Sequence, residues 1–210
     1  KPKGVMISHK NVLWTIESLF GQMIPATKFP RIVSYLPMAH IAARAGDHYQ
    51  AIYRIGQIFP VPVLEDMRDA LPTIKPSVFL AVPRVWEKFK AGLEARIEEN
   101  PKKDLIAKAI QNGLEKVDYE QKGESVPFMV GLKDKIFAKL VFSKFKEGLG
   151  IVDTEYFVTA AAPMNKDVHR WFHAIGIDVT EIYGMTEDTG PATIGVPGNA
   201  VESFEKRLLS

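Results

Sequence analysis

The chain contains no cysteine among its 210 residues, so neither a disulfide framework nor thiol chemistry is open to it, and a reducing compartment is permitted. No apolar run approaches the ~20 residues of a membrane span. Charge of one sign is also lacking. Lys and Arg number 27 against 25 Asp and Glu, and the net charge of +2 excludes the basic balance of a dedicated nucleic-acid binder. The opening KPKGVMISHK has no apolar core of a secretory leader, and the chain shows no internal repeat and no low-complexity linker. What is present is 46% hydrophobic and 25% charged, a globular composition with enough chain to bury a core in one domain or two small ones.

Periodicity gives an alternation of elements. Gly4–Ile7 reads as a short strand, and Ser8 as the cap of a helix through Asn11–Met23, with Val12, Leu13, Ile16, Leu19 and Phe20 at helical spacing. Ile32–Leu36 reads as a strand ended by Pro37, His40–Tyr53 as helical, and Gln57–Val63 as extended, its two prolines suiting an edge or crossover. Ser77–Val82 reads as a buried strand stopped by Pro83, followed by helix from Arg84 to about Asn100. Charged helix extends from Lys102 to about Gly148, broken around Gly123–Gly131. Tyr156–Ala160 returns to strand, Lys166–Ala174 is helical with Asn165 as cap and Gly176 past its end, and Asp178–Tyr183 is a last strand entering a polar turn. Strands alternating with helices predict an α/β fold with a mostly parallel sheet flanked by helices, and ligands in such sheets favour the carboxyl ends of strands.

Four segments have the residue types for chemistry. In KPKGVMISH, lysines beside a glycine turn suit a polyphosphate, although a surface turn explains them as well. In YLPMAHIAAR a strand delivers His40 just past Pro37, at a ligand-bearing end or simply into the core. In FVTAAAPMNKDVHRWF a strand ends in three small residues and a proline, which leaves room for a flat ligand against the backbone or for tight strand–helix packing. In EIYGMTEDTG an aromatic ring, a glycine, a hydroxyl and a carboxylate fall within five residues. Tyr183 could pack on a nucleobase or ribose, Thr186 could donate to phosphate, and Glu187 could hold Mg2+, a hard ion that takes carboxylate and phosphate oxygens.

Together these segments resemble the adenylate-forming (AMP-binding) superfamily of acyl-CoA synthetases, luciferases and peptide-synthetase adenylation domains. Lys1-Pro2-Lys3-Gly4 resembles the tail of that family's Thr-Ser-Gly-Thr-Thr-Gly-x-Pro-Lys-Gly phosphate loop. YLPMAH is similar to the Tyr-Leu-Pro-Leu-Ala-His of long-chain fatty acid–CoA ligases, and VPRVWEKF (Val82–Phe89) to a segment of the same subgroup. TAAAPM resembles the adenine-site strand Ser-Gly-Ala-Ala-Pro-Leu, and YGMTED the signature Tyr-Gly-x-Thr-Glu.

The resemblance implies an internal part of the N-terminal adenylation domain, spanning 1–210, with a helical insertion at about 84–149 and the C-terminal domain absent. It implies ATP-dependent activation of a fatty acid to acyl-AMP with release of pyrophosphate, then thioester formation with CoA. By motif match, Thr186 would contact phosphate, Glu187 would hold Mg2+, and Glu181, Ile182, Tyr183, Gly184 and Met185 would line the nucleotide. Ala160, Ala161, Ala162 and Pro163 would face adenine, His40 would sit by the acyl-adenylate, and Lys3 would belong to the phosphate loop. Two departures stand out. Ala160 replaces the family's glycine, and Val196–Ser210 departs from the usual continuation with its ribose-binding aspartate. A fatty acyl-AMP ligase is the alternative within enzymes, and a catalytically inactive nucleotide- or acyl-binding fragment is the alternative for the chain alone. Fatty acid, ATP and CoA are the expected partners, with no nucleic acid, in a cytoplasmic setting. Lys133–Lys146 (KDKIFAKLVFSKFK) places Ile136, Phe137, Leu140, Val141 and Phe145 towards one face and lysines elsewhere. That pattern suits either a core-facing helix or peripheral contact with an anionic membrane.

Overall fold

The structure, a computed structural model, describes residues 4–24 and 28–195. Ser8 begins the first helix through a reciprocal cap. Its hydroxyl accepts from the Asn11 N–H, and the Asn11 side chain accepts from the Ser8 N–H, each at 3.1 Å. Helix α1 (His9–Ile16) then widens into a π-helical turn over Glu17–Met23. The strand expected at Gly4–Ile7 does not form. These residues have no sheet neighbour, and Met6 is 99% exposed, so a four-residue apolar run without a pairing partner stays irregular.

Strand β1 (Arg31–Ser34) leads past Pro37 to α2 (Ile41–Ala43), a π-helical turn (Arg44–Tyr49) and α3 (Gln50–Arg54), which together occupy the helical region read from the sequence. Strand β2 (Gln57–Pro60) is followed by α4 (Met67–Ile74) and β3 (Val78–Ala81). Pro83 then starts α5 (Pro83–Glu98) at a position where its missing N–H costs nothing. Helix α6 (Lys103–Gln121) precedes α7 (Phe128–Phe137), which continues through a π-helical turn (Ala138–Phe142) into α8 (Ser143–Leu149). Strand β4 (Tyr156–Ala160), α9 (Lys166–Ala174), β5 (Val179–Met185) and β6 (Gly190–Ile194) complete the described chain.

The strands form one sheet in the order β2-β1-β3-β4-β5-β6, parallel from β2 to β5. The proline-bearing β2 lies at the edge, where a missing N–H breaks no ladder. Beyond Tyr183 the structure differs from the polar turn expected there. The strand continues to Met185, turns over Thr186–Asp188, and returns as the antiparallel β6.

Alternation along the strands divides the core in two. Phe79, Ala81, Phe157 and Val179 face α4, α5 and α9, where Trp86 is fully buried. Trp86 meets Phe172 edge-on at 5.1 Å and Phe79 at 5.5 Å, so the VPRVWEKF segment seats α5 on the sheet. Val78, Tyr156 and Val158 face the opposite way, against Ile16, Leu19, Phe20 and Ile24 of the first helical segment.

Candidate functional site

Parallel strands bring their carboxyl ends to one side, and the register sets Ala81 beside Thr159 and Ala160 beside Ile182. The candidate site forms there, on the face covered by α1–α3. A cleft is walled by Leu19, Phe20, Ile24, Val78, Leu80 and Val158, and His40, Ala160, Ala161, Ile182, Gly184, Gly190 and Pro191 also line it. Residues 78, 80, 158, 160 and 182 share one face because side chains alternate along a strand. The cleft is half open, its inner space is about 80 Å³, and its lining is mostly apolar.

His40 is the N-cap of α2. Its Nδ1 accepts from the Ala42 N–H at 3.1 Å, which leaves Nε2 to carry the proton of the neutral ring. The cap fixes the imidazole at the cleft wall through the backbone itself.

Ala160 ends β4 and is half-buried, while Ala161, Ala162 and Pro163 are exposed. Ala161 has φ of 75°, a left-handed conformation that costs a side-chain-bearing residue about 1 kcal/mol or more. The strain thus falls one residue after the position where the resemblance expects glycine.

Glu181 is partly buried, and its Oε1 accepts from the Met164 N–H at 3.0 Å. That bond ties β5 to the loop before α9, so one carboxylate oxygen of Glu181 has a structural task. Tyr183 and Met185 are exposed, with Thr186, Glu187 and Asp188 in the exposed turn beyond them. The turn closes with the Thr189 N–H donating to the Thr186 carbonyl at 3.0 Å, Thr189 itself at φ 64°.

Of the sequence-derived set, His40, Ala160, Ala161, Ile182 and Gly184 therefore meet at one cleft. Ala162, Pro163, Glu181, Tyr183, Met185, Thr186 and Glu187 belong to the adjoining loop and hairpin and do not line it. Lys3 lies outside the described residues.

Several cleft residues carry no local sequence signal. Leu19, Phe20 and Ile24 come from a stripe that reads equally well as core, and Gly190 and Pro191 come from the unanticipated β6. Gln50 also lines the cleft, 1% exposed, with its amide nitrogen unpartnered among the described residues. One turn earlier, Asp47 is 3% exposed. Burial pushes its carboxyl up to about 6, against a smaller opposing effect of the Ser34 hydroxyl. Tyr35 is pushed up to about 12, first by burial; the Val82 N–H, donating to its oxygen at 3.2 Å, opposes this and the Asp47 charge adds to it. Two buried polar side chains, the Gln50 amide at the cleft wall and the Asp47 carboxyl one turn before it, thus belong to this helical segment.

Comparison with known proteins agrees with this architecture. The family model described as AMP-binding enzyme matches residues 1–206. A long-chain-fatty-acid–CoA ligase of Rattus norvegicus is 34% identical over 207 residues, covering 92% of this chain and 30% of the relative. One of Xenopus laevis is 34% identical over 206 residues, covering 94% and 27%. The chain spans about a third of the length of the curated relatives it matches. Among solved structures, the N-terminal domain of FACL13 from Mycobacterium tuberculosis superposes with a TM-score of 0.59 at 21% identity, covering 95% of this chain and 38% of that one. The A domain of a carboxylic acid reductase from Segniliparus rugosus, solved with AMP and a co-purified carboxylic acid, gives 0.57 at 16% identity, covering 92% and 27%. At these identities the structures speak for the fold alone, an N-terminal adenylation-domain sheet. Because that family model matches residues 1–206 of its 210, the chain belongs to the AMP-binding enzyme family.

Proposed function

We propose that this chain supplies part of the acyl and adenylate site of a long-chain fatty acid–CoA ligase. Such an enzyme activates a fatty acid with ATP to acyl-AMP and then forms the CoA thioester. The observation that carries this reading is the convergence of His40, Ala160, Ala161 and Gly184 on one apolar cleft at the carboxyl ends of parallel strands. The relatives named as long-chain fatty acid–CoA ligases favour the same substrate class.

The geometry divides the labour. The inner space of the half-open cleft, about 80 Å³, is too small for a nucleotide, and its apolar walls suit part of an alkyl chain. The nucleotide would lie on the exposed lip, with Tyr183 against base or ribose and Ala160–Pro163 beside adenine. Thr186 would contact phosphate. His40, held through Nδ1, would donate from Nε2 to an oxygen of the reacting carboxylate at the mouth. Positioning and charge stabilisation are the protein's main contributions to such a step.

Glu187 is exposed, and no group of three or more acidic or histidine side chains that would cage a cation occurs among the described residues. A single carboxylate such as Glu187 can suffice for Mg2+, which keeps water and phosphate oxygens and needs only one or two carboxylates. Bound there, the ion would offset phosphate charge. Glu187→Ala is expected to weaken Mg2+–ATP binding at least tenfold in calorimetry, and unchanged affinity would remove Glu187 from the metal role.

The reading is tested on the full-length protein that carries this chain, by following AMP release from ATP and palmitate with and without CoA. CoA-dependent AMP release is expected. Stoichiometric adenylate without any response to CoA would replace the ligase with an acyl-AMP-forming enzyme, and no AMP under either condition would overturn the proposal.

A further inference from the structure

Among the described residues, only two polar side chains line the cleft, those of His40 and Gln50. Every other lining residue is aliphatic, aromatic, glycine or proline. His40 stands where α2 begins and has its task at the mouth. Gln50 follows ten residues later on the same helical stretch, on the order of 15 Å along its axis. Its amide therefore meets the cleft well away from the carboxylate end. Pockets use such isolated polar groups in apolar walls to fix what enters and how it lies.

Gln50 is enclosed, yet its Nε2 has no hydrogen-bond partner among the described residues. A partner on the same helical face would be Asp47, three residues earlier. Its Oδ2 is unpartnered too, so the two side chains do not bond, and the Asp47 carboxyl is served by the Ser34 hydroxyl instead. Trp86, Thr159 and Thr180 also hold buried polar atoms without partners, but none of these residues lines the cleft. The enclosure of Gln50 is produced by the described residues themselves. Chain packed outside them can only deepen it, and reaches the amide only through the cleft. A buried amide left unpaired is costly, and leucine or methionine would complete the same wall without that cost. Such a breach of a local rule is expected where a group is kept for a ligand.

We propose that Gln50 is a specificity-determining residue of the cleft, selecting fatty acids that carry a hydroxyl or carbonyl oxygen in mid-chain. That oxygen would accept from the amide N–H, and the last torsion of a glutamine side chain is broad enough to turn Nε2 towards it. The inference rests on the acyl reading of the cleft given above and names the substrate class within it. A site that offers a buried donor discriminates against an analogue lacking the oxygen, because the donor then stays unpaired. The cleft is half open, so water can serve the amide beneath a plain chain. Plain fatty acids thus remain substrates, and the expected preference is about tenfold rather than the larger factor of a sealed site. A hydroxyl beside the carboxyl would lie near His40 and gain nothing from Gln50.

The test is AMP formation by the full-length protein, with ATP and CoA, from three acids: stearate, a mid-chain hydroxystearate, and stearate hydroxylated beside the carboxyl. The kcat/KM for the mid-chain hydroxy acid is expected to exceed that for stearate about tenfold, and the third acid to show no such gain. Gln50→Met keeps the length of the side chain without its amide, and should bring the ratio of the first two to near one. Because the amide is unpaired in the free protein, the melting temperature of Gln50→Met should hold or rise. A clear fall would show that the amide already has a partner inside the protein, and would overturn the proposal. Equal kcat/KM for all three acids, or a preference that survives Gln50→Met, would overturn it as well. In those cases AMP formed from stearate leaves the acyl reading of the cleft standing, whereas no AMP from any of the acids would overturn both.

Discussion

An alanine methyl at Gly184 would sit 2.0 Å from the Gly190 carbonyl oxygen and 2.8 Å from the Pro191 Cα. The β5–β6 hairpin closes that tightly because a bulge between Tyr183 and Gly184 presses the strands together. Gly184→Ala is therefore expected to open the hairpin and lower stability by about 2 kcal/mol or more, read as a fall in denaturation midpoint. Gly92, in α5, has nothing within 4 Å of the same added methyl. Gly92→Ala should be stabilising by up to about 1 kcal/mol through helix propensity alone, which makes it the control. Asp47 gives a residue-scale prediction in pH. Its carboxyl lies at about 6 when folded against an ordinary 3.8, so the folded state holds the proton more tightly than the unfolded chain. Stability contributed by this group is present below about pH 4 and is lost as pH rises to about 6. Asp47→Asn should flatten that segment of the melting profile and raise stability at pH 7 by an amount of order 1–3 kcal/mol, read as a higher melting temperature. An unchanged profile would mean that the carboxylate has a partner in solution.

Elements were legible wherever local chemistry set them. Ser8 and Asn165 start the helices they were expected to start, since caps act within three residues, and Pro83, expected only to stop the strand before it, is itself the first residue of α5. The strand at Gly4–Ile7 failed and β6 went unseen for a common reason: a strand is stabilised by its neighbour, and no local pattern says whether one is there. Likewise the helical stripe of Lys133–Lys146 was visible, but not that Phe137, Val141 and Phe145 would pack on the core while Ile136 and Leu140 stay outside it, which depends on where α5 and α6 lie. The seam between α6 and α9 carries its own pH dependence. His173 stands 3.1 Å from Glu120 and 3.4 Å from Asp178. Burial alone would lower its pKa, yet the carboxylates of Asp178 and then Glu120 beside it raise it overall. Folding thus favours the protonated ring. The stabilisation is full below the unfolded value of about 6.5 and is lost as pH rises through the raised folded value. His173→Gln should remove the fall in melting temperature across that window. If the fall persists unchanged, another group sets it.

At the scale of the whole molecule, the cleft is a product of topology. Its lining comes from residues 19–24, 40–50, 78–80, 158–161 and 182–191, which meet only because β3, β4 and β5 lie side by side and α1–α3 cover one face. Sequence motifs marked the strand ends, His40, Ala160 and Gly184, because small or polar residues at those points depart from what a core would use. They did not mark Phe20, Val78 or Gln50, since an apolar wall and a buried amide look the same locally whether they border a ligand or a neighbour. His40 has two tasks in this assembly, capping α2 and facing the cleft, and substitution can separate them. Asparagine is a strong N-cap whose oxygen can accept the Ala42 N–H as Nδ1 does, but it lacks the ring and its second nitrogen. His40→Asn in the full-length protein should keep the melting temperature within about 2 °C while lowering the rate of AMP formation from ATP and palmitate at least tenfold. His40→Ala should lose both the rate and about 1 kcal/mol of stability. If asparagine restores the rate together with the stability, the histidine is a cap alone, and the oxygen of the reacting carboxylate must find its donor elsewhere on the rim.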